Sequence, residues 1–169
     1  MLRIGLISDT HGFLDPAVFK HFDACDEIWH AGDFGPNTDE NSVAAQLAKF
    51  KPLRGVYGNI DGQDIRTVYP EKLRWQTEGV EVFMTHIGGY PPKYNPVVKK
   101  ELLAHPPKLF ICGHSHILKI IFDDQLQCLH MNPGAAGNHG WHKVRTLIRF
   151  TIDGADMRDC DVIEIGKRG

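Results

Sequence analysis

The chain has 169 residues, 42% of them hydrophobic and 24% charged, with a formal net charge of −2. That length and composition suit one globular domain over residues 1–169, able to bury a core without disulfide staples. The near-neutral charge gives no electrostatic reason to expect nucleic acid or an anionic membrane as partner.

The opening "MLRIGLISDTHG" turns polar too soon for a signal peptide, and no apolar run reaches bilayer-spanning length, so a cytoplasmic location is expected. "LRIGLIS" (2–8) reads as a buried strand that delivers Asp9. "PAVFKHF" (16–22) is a short helix with Asp15 as N-cap and Pro16 at its first position. "EIWHAGD" (27–33) is a second strand ending Gly-Asp. "DENSVAAQLAKF" (39–50) has helical spacing at Val43, Leu47 and Phe50, with acidic residues in its first turn. "LRGVYGN" (53–59) is a third strand ending Gly-Asn. This rhythm predicts a parallel α/β half.

The second half reads differently. Residues 71–86 form a hairpin across Glu78-Gly79, and a helix over 95–104 feeds "LFICGH". Strand-like runs follow at 117–122, 126–131, 143–152 and 155–165, the last pair joined by the Asp153-Gly154 turn. These later runs predict antiparallel sheet. The expected class is α/β (α+β), two packed sheets with helices outside. The four cysteines (Cys25, Cys112, Cys128, Cys160) form no C-x-x-C pair, and Cys112 and Cys128 read as buried small hydrophobes. "GGYPPKYNP" and "NPGAAGNHG" read as loops.

Five apolar runs end alike, in a turn bearing Asp, Asn or His. They deliver Asp9 and His11, then Asp33, Asn59, His86, and finally His114 and His116. Loops at the carboxyl ends of strands in α/β sheets are where ligands bind. Two stretches use i, i+2 spacing, which in an extended chain places side chains on one face roughly 7 Å apart. Seven such donors exceed the four of a tetrahedral zinc and suit a pair of divalent ions about 4 Å apart sharing a carboxylate. Imidazole, carboxylate and amide oxygen without thiolate suit Mn²⁺, Fe, Zn²⁺ or Ni²⁺ without discriminating among them. Two Mn²⁺ ions are the expected pair, with Fe, Zn²⁺, Ni²⁺ or Mg²⁺ as alternatives.

In order, the blocks "SDTHG", "AGD", "GNID", "MTHIG" and "CGHSH" resemble those of the calcineurin-like metallophosphoesterases, and "MNPGAAG" is similar to the small YfcE-type phosphodiesterases within them. The resemblance spans roughly residues 1–137. It implies a four-layer αββα sandwich. It also implies that Asp9, His11 and His116 bind one metal, that Asn59, His86 and His114 bind a second, and that Asp33 bridges both. Asp33, Asn59 and His86 are then the catalytic group. The implied activity is phosphodiester hydrolysis by a metal-bridging hydroxide on a small phosphodiester or nucleotide-like substrate. A phosphomonoesterase or nucleotidase is the alternative on the same site. A non-catalytic scaffold is the other, because the retromer scaffold subunit resembles this family with degraded ligands.

One position departs from the family pattern. Ile60 stands where the family's block carries a proton-donating histidine, as it does not in YfcE-type members, leaving Asp61 without the partner it would orient. His139 and His142 are the candidate substitutes. Asn132 and the Gly134 backbone are expected to help place phosphate, and the loop 87–97, with Tyr90, Lys93 and Tyr94, to shape the entrance. His21, His30, His105 and His130 are assigned to structure or surface, and Trp29, Trp75 and Trp141 to packing. Exposed edge strands in the C-terminal half suit a homodimer.

Overall fold

The computed structural model describes all 169 residues. In chain order the elements are β1 (Leu2–Ile7), α1 (Ala17–His21), β2 (Glu27–His30), α2 (Val43–Phe50), β3 (Leu53–Gly55) and α3 (Gln63–Arg66). Then come β4 (Lys72–Thr77), β5 (Val80–Thr85), the two-residue strands β6 (Gly89–Tyr90) and β7 (Lys93–Tyr94), and α4 (Pro96–Ala104). The chain ends with β8 (Leu109–Ile111), β9 (Lys119–Asp123), β10 (Cys128–Asn132), β11 (Val144–Asp153) and β12 (Asp156–Lys167).

Two five-stranded sheets pack face to face, in the orders β12-β11-β1-β2-β3 and β4-β5-β8-β10-β9. Ile4, Leu6 and Trp29 from the first sheet meet Val82, Met84 and Ile111 from the second in one apolar layer. Trp29 sits edge-on to Trp75 at 4.9 Å, a packing role for both. Each fully buried large aliphatic or aromatic side chain there contributes roughly 1.5–3 kcal/mol. Outside the first sheet, Ile7 and Ile28 pack under Val18 and Phe22 of α1 and Val43 and Leu47 of α2. Outside the second, Phe83 and Phe110 pack under Val98 and Leu102 of α4. The layers are helix, sheet, sheet, helix, as expected. Cys112 and Cys128 lie in that last layer, and burial pushes both thiols up to about 12.

Parallel pairing joins β1 to β2 and β2 to β3 in one sheet, and β5 to β8 and β8 to β10 in the other. Buried on both faces, these strands carry continuous apolar runs rather than alternation. Parallelism puts the carboxyl ends of β1, β2 and β3 together at one edge, and likewise those of β5 and β8.

Several expectations need correction. The β11–β12 hairpin does not extend the second sheet; β11 pairs antiparallel with β1 and completes the first. Hydrophobic pattern alone does not say which sheet a strand joins. Helix α2 begins at Val43, so Asp39 and Glu40 precede it, with the Ser42 hydroxyl accepting from the Thr38 and Asp39 amides instead. Asp15 does cap α1, accepting from the Ala17 N–H at 2.8 Å. Helix α3 was not foreseen, since four residues carry too little periodicity. Trp141 does not pack: it is 98% exposed, in a loop with no face to bury it.

His130 is buried on β10, with Nδ1 3.1 Å from the Phe110 carbonyl. Burial pushes its pKa down from 6.5 to about 4, against the pull of that carbonyl. The unfolded chain therefore takes up this proton first as pH falls. Stability from neutral His130 is complete above about 6.5 and is lost on the way down through about 4, on the order of 3 kcal/mol. Thermal melts of the wild type and His130→Leu between pH 7 and pH 4 should show a shallower pH slope for the variant (roughly this difference).

Candidate metal centre

The loops after β1, β2, β3, β5 and β8 meet at one edge of the sandwich. Backbone bonds knit them: Asp9 N–H donates to the Gly32 carbonyl and His11 N–H to that of Asp33, each at 3.0 Å. Gly113 N–H donates to the His86 carbonyl, also at 3.0 Å. Five predicted ligands occupy the left-handed backbone region: Asp9 (φ 54°), His11 (48°), Asp33 (59°), His114 (70°) and His116 (61°). Non-glycine residues pay on the order of 1–2 kcal/mol each for that conformation, so only a function or an over-determined surround retains it. Two glycines make room. A side chain at Gly58 would strike the Asp33 carboxylate, and one at Gly32, itself at φ +105°, would meet the His86 ring at 2.5 Å.

All seven predicted ligands converge. The donor atoms of Asp9, His11 and His116 lie within 4.8 Å of one another, as do those of Asp33, His86 and His114, and each triad could hold a metal ion. Asp33 Oδ2 stands between the triads, 3.3 Å from His11 Nε2 and 3.1 Å from His86 Nε2. Asn59 Oδ1 joins the second triad, 3.0 Å from His114 Nδ1. Asp9 Oδ1, His11 Nε2 and His86 Nε2 are buried and have no hydrogen-bond partner. Such orphans are rare and costly. Aimed at one another from two triads, they fit divalent cations, which would satisfy all of them.

Neighbouring groups set each donor's direction. His86 Nδ1 lies 2.7 Å from the Ala31 carbonyl, which fixes the ring so that Nε2 faces the carboxylates. Burial works against its protonation, but Asp33, Asp9 and that carbonyl outweigh it and hold His86 above its ordinary value. A bound cation would take the place of the Nε2 proton. Asp9 Oδ2 accepts from the Ser8 hydroxyl at 2.6 Å and from the His114 amide at 3.1 Å. Burial pushes the Asp9 carboxyl up, but the His116 and His86 imidazoles and Ser8 hold it below its usual range. Burial likewise works against Asp33, and His11 and His86 outweigh it, so Asp33 too is held low. Both carboxylates are anionic at neutral pH. Burial, then the His86 charge, keeps His114 below its ordinary value, the neutral form a ligand needs.

Residues beyond the predicted seven build the cradle. His30 is fully buried, and burial pushes it down to about 3, so it is neutral. Its Nδ1 accepts from Gly32 N–H at 3.1 Å, leaving Nε2–H to donate to Thr10 Oγ1 at 3.0 Å. Thr10 in turn donates to the Phe34 carbonyl at 2.9 Å. This chain ties the Asp9–His11 loop to the Asp33 loop. Asp61 does the same for the Asn59 loop, its carboxylate accepting from Phe34, Gly35 and Gly58 amides at 3.2, 3.0 and 2.8 Å. It needs no histidine partner to be useful. Asp61 was in view as an orphan of the family block, but its amide partners are visible only in three dimensions.

Other expectations change. The Asn132 side chain points inward, donating to the Gly113 carbonyl at 3.0 Å and the Ser115 hydroxyl at 3.2 Å while accepting from Gly134 N–H. It positions the His114–His116 turn and is not free for phosphate. Tyr90, Lys93 and Tyr94 all border a cleft beside His114, and the Tyr94 hydroxyl is spent on Asp123, to which it donates at 2.6 Å. His139 stacks on His11 at 4.8 Å and is exposed, whereas His142 has Nε2 on the Gly137 carbonyl and Nδ1 shut away.

A family model described as the calcineurin-like phosphoesterase superfamily domain matches residues 2–155. The chain belongs to that superfamily. No curated protein matches it. Among solved structures, this phosphoesterase-superfamily chain is similar to a novel archaeal phosphodiesterase at 20% identity and TM-score 0.74, over 96% of this chain and 100% of that one. A conserved uncharacterized protein of Streptococcus pneumoniae TIGR4, a predicted phosphoesterase, is 21% identical with TM-score 0.71, over 96% and 89%. Vps29 of Entamoeba histolytica, complexed with Zn²⁺, is 12% identical with TM-score 0.72, over 96% and 99%. At these identities the likeness is one of fold. No helix is long and apolar enough to cross a membrane.

Removing the Asp61 carboxylate strands three buried or partly buried amides. Asp61→Ala should lose on the order of 3 kcal/mol in a denaturant melt and roughly 10–100-fold in Mn²⁺ affinity by calorimetry. Asp61→Asn, which keeps one acceptor oxygen, should fall between.

Proposed function

We propose that this superfamily member is a dinuclear-metal phosphodiesterase. The observation that carries the reading is the facing of three buried, unbonded donor atoms across a carboxylate, Asp33, placed between two triads. Asp9, His11 and His116 are assigned to one cation, Asn59, His86 and His114 to the other, and Asp33 to both. Bound there, a divalent pair supplies Lewis acidity, polarising phosphoryl oxygens and acidifying a coordinated water. In the net reaction a water oxygen bonds to phosphorus, the ester P–O bond breaks, and the alcohol leaves with a proton. Manganese is the ion proposed for both positions, and the nitrogen and oxygen donor set suits Fe, Zn²⁺ and Ni²⁺ equally. A complete donor set supports an enzyme over a scaffold, and the net charge of −2 offers no electrostatic attraction for a nucleic-acid polymer.

Ile60 carries no proton, so another group must protonate a poor leaving alcohol. We assign this to His139, exposed and stacked on His11 at the rim. His142, with both ring nitrogens engaged or enclosed, holds the loop against His116 instead.

Chelator-stripped protein should be inactive and regain activity with Mn²⁺, cleaving bis(4-nitrophenyl) phosphate faster than 4-nitrophenyl phosphate. Faster monoester turnover points to the nucleotidase alternative, and no turnover of either to the scaffold. His114→Ala should lose bound metal by elemental analysis together with activity, at an unchanged fold by circular dichroism. His139→Ala should slow alkyl diesters by about 10²–10⁴-fold and nitrophenyl diesters little, since only the former need the proton.

A further inference from the structure

One cavity is not centred on the ligands but opens from them. A groove of about 410 Å³ begins at Asn59 and His86 and runs between the Tyr57–Arg66 segment and the start of α4. That volume lies in the range of small-molecule sites. Its floor is the Phe83 and Thr85 edge of β5. Ile87 (40% exposed) and Val97 (73%) stand at its rim, apolar side chains that the fold leaves in solvent.

On the opposite wall the Arg66 guanidinium lies over the Tyr57 ring at 4.4 Å. Its Nε donates to the Asp61 carbonyl at 2.6 Å, which fixes the plane of the group. No carboxylate pairs with it, whereas Lys72, further along the groove, is neutralised by Glu101 at 3.1 Å. A flat, delocalised, fixed cation backed by an aromatic ring is a stacking surface for a planar group. Aliphatic side chains at the other wall exclude water from the same slot.

We infer that this groove is the subsite for an aromatic, nucleoside-like ester group of the substrate, its ring held between the Arg66–Tyr57 face and the Ile87–Val97 rim while the phosphate lies at Asn59 and His86. The inference rests on the phosphodiesterase reading and narrows its substrate class. Simple alkyl diesters would leave the groove unfilled. The preference should enter through KM, because the groove contacts a group remote from the bond that breaks.

The test uses Mn²⁺-loaded full-length protein and two diesters of equal charge, thymidine 5′-(4-nitrophenyl phosphate) and methyl 4-nitrophenyl phosphate. The wild type should favour the nucleoside diester by roughly tenfold in kcat/KM, the scale of one stacked base. Val97→Glu and Arg66→Gln should each lower that ratio at least threefold by raising KM for the nucleoside diester. Charge repulsion from the new carboxylate acts on both substrates and cancels in the ratio. Thermal melts report whether Arg66→Gln disturbs the Asp61 loop; Val97, solvent-exposed in the first turn of α4, carries no such risk. A wild-type ratio near one, or a ratio that either variant leaves unchanged, overturns the subsite and leaves the diesterase reading standing. Failure to cleave either diester overturns both.

Discussion

Seven polar side chains from five separate loops must face one another, with three of their atoms (Asp9 Oδ1, His11 Nε2 and His86 Nε2) buried and left without a hydrogen-bond partner. Every other feature of this edge of the molecule serves that arrangement. Burial pushes the Asp9 and Asp33 carboxyls up, but the imidazoles around them outweigh it and hold both below their usual range. The result is a concentrated anionic and imidazole cluster that is electrostatically poor without a cation and well matched to one.

Holding it requires rigidity that the ligands do not provide. Five of them sit in a backbone conformation that side chains avoid. They are kept there by bonds made one layer back: His30 through Thr10, Asp61 through three amides, and Asn132 through the Gly113 carbonyl. Each of these residues is buried and spends its polar atoms on backbone groups of ligand-bearing loops. The strain at the ligands and the satisfied network behind them are two sides of one device, in which stability from the fold maintains geometry at the edge.

The same geometry divides labour across the two sheets. Loops after strands of the first contribute Asp9, His11, Asp33 and Asn59, and loops after strands of the second contribute His86, His114 and His116. Each triad therefore draws on both sheets, so core packing between Trp29, Met84 and Ile111 bears directly on the geometry within each triad. The groove leading away opens from the Asn59–His86 end of the centre, between the Tyr57–Arg66 segment and α4, which makes the approach to the centre asymmetric.

Much of this was legible along the chain. Doubly buried parallel strands must be apolar throughout and must end in turns, so Asp9, Asp33, Asn59, His86 and the His114–His116 pair stood out against the runs preceding them. Boundaries slipped at 31–33 and 56–59, because buried residues such as Ala31, Val56 and Gly58 continue past the last ladder pair, although Gly32 and Asp33 already turn through positive φ. The partners of His30, Asp61, Asn132 and Tyr94 were not legible, nor was the β1–β11 pairing. Local pattern records which face a residue hides, not what lies across from it. By itself, the sequence determined which polar residues end the apolar runs and the strands that carry them, since those follow from hydrophobic period and residue chemistry. Only tertiary structure decided which donors share a cluster, which polar neighbours hold them, and where a groove leads off, because these depend on the stacking of two sheets whose contacts join residues far apart in the chain.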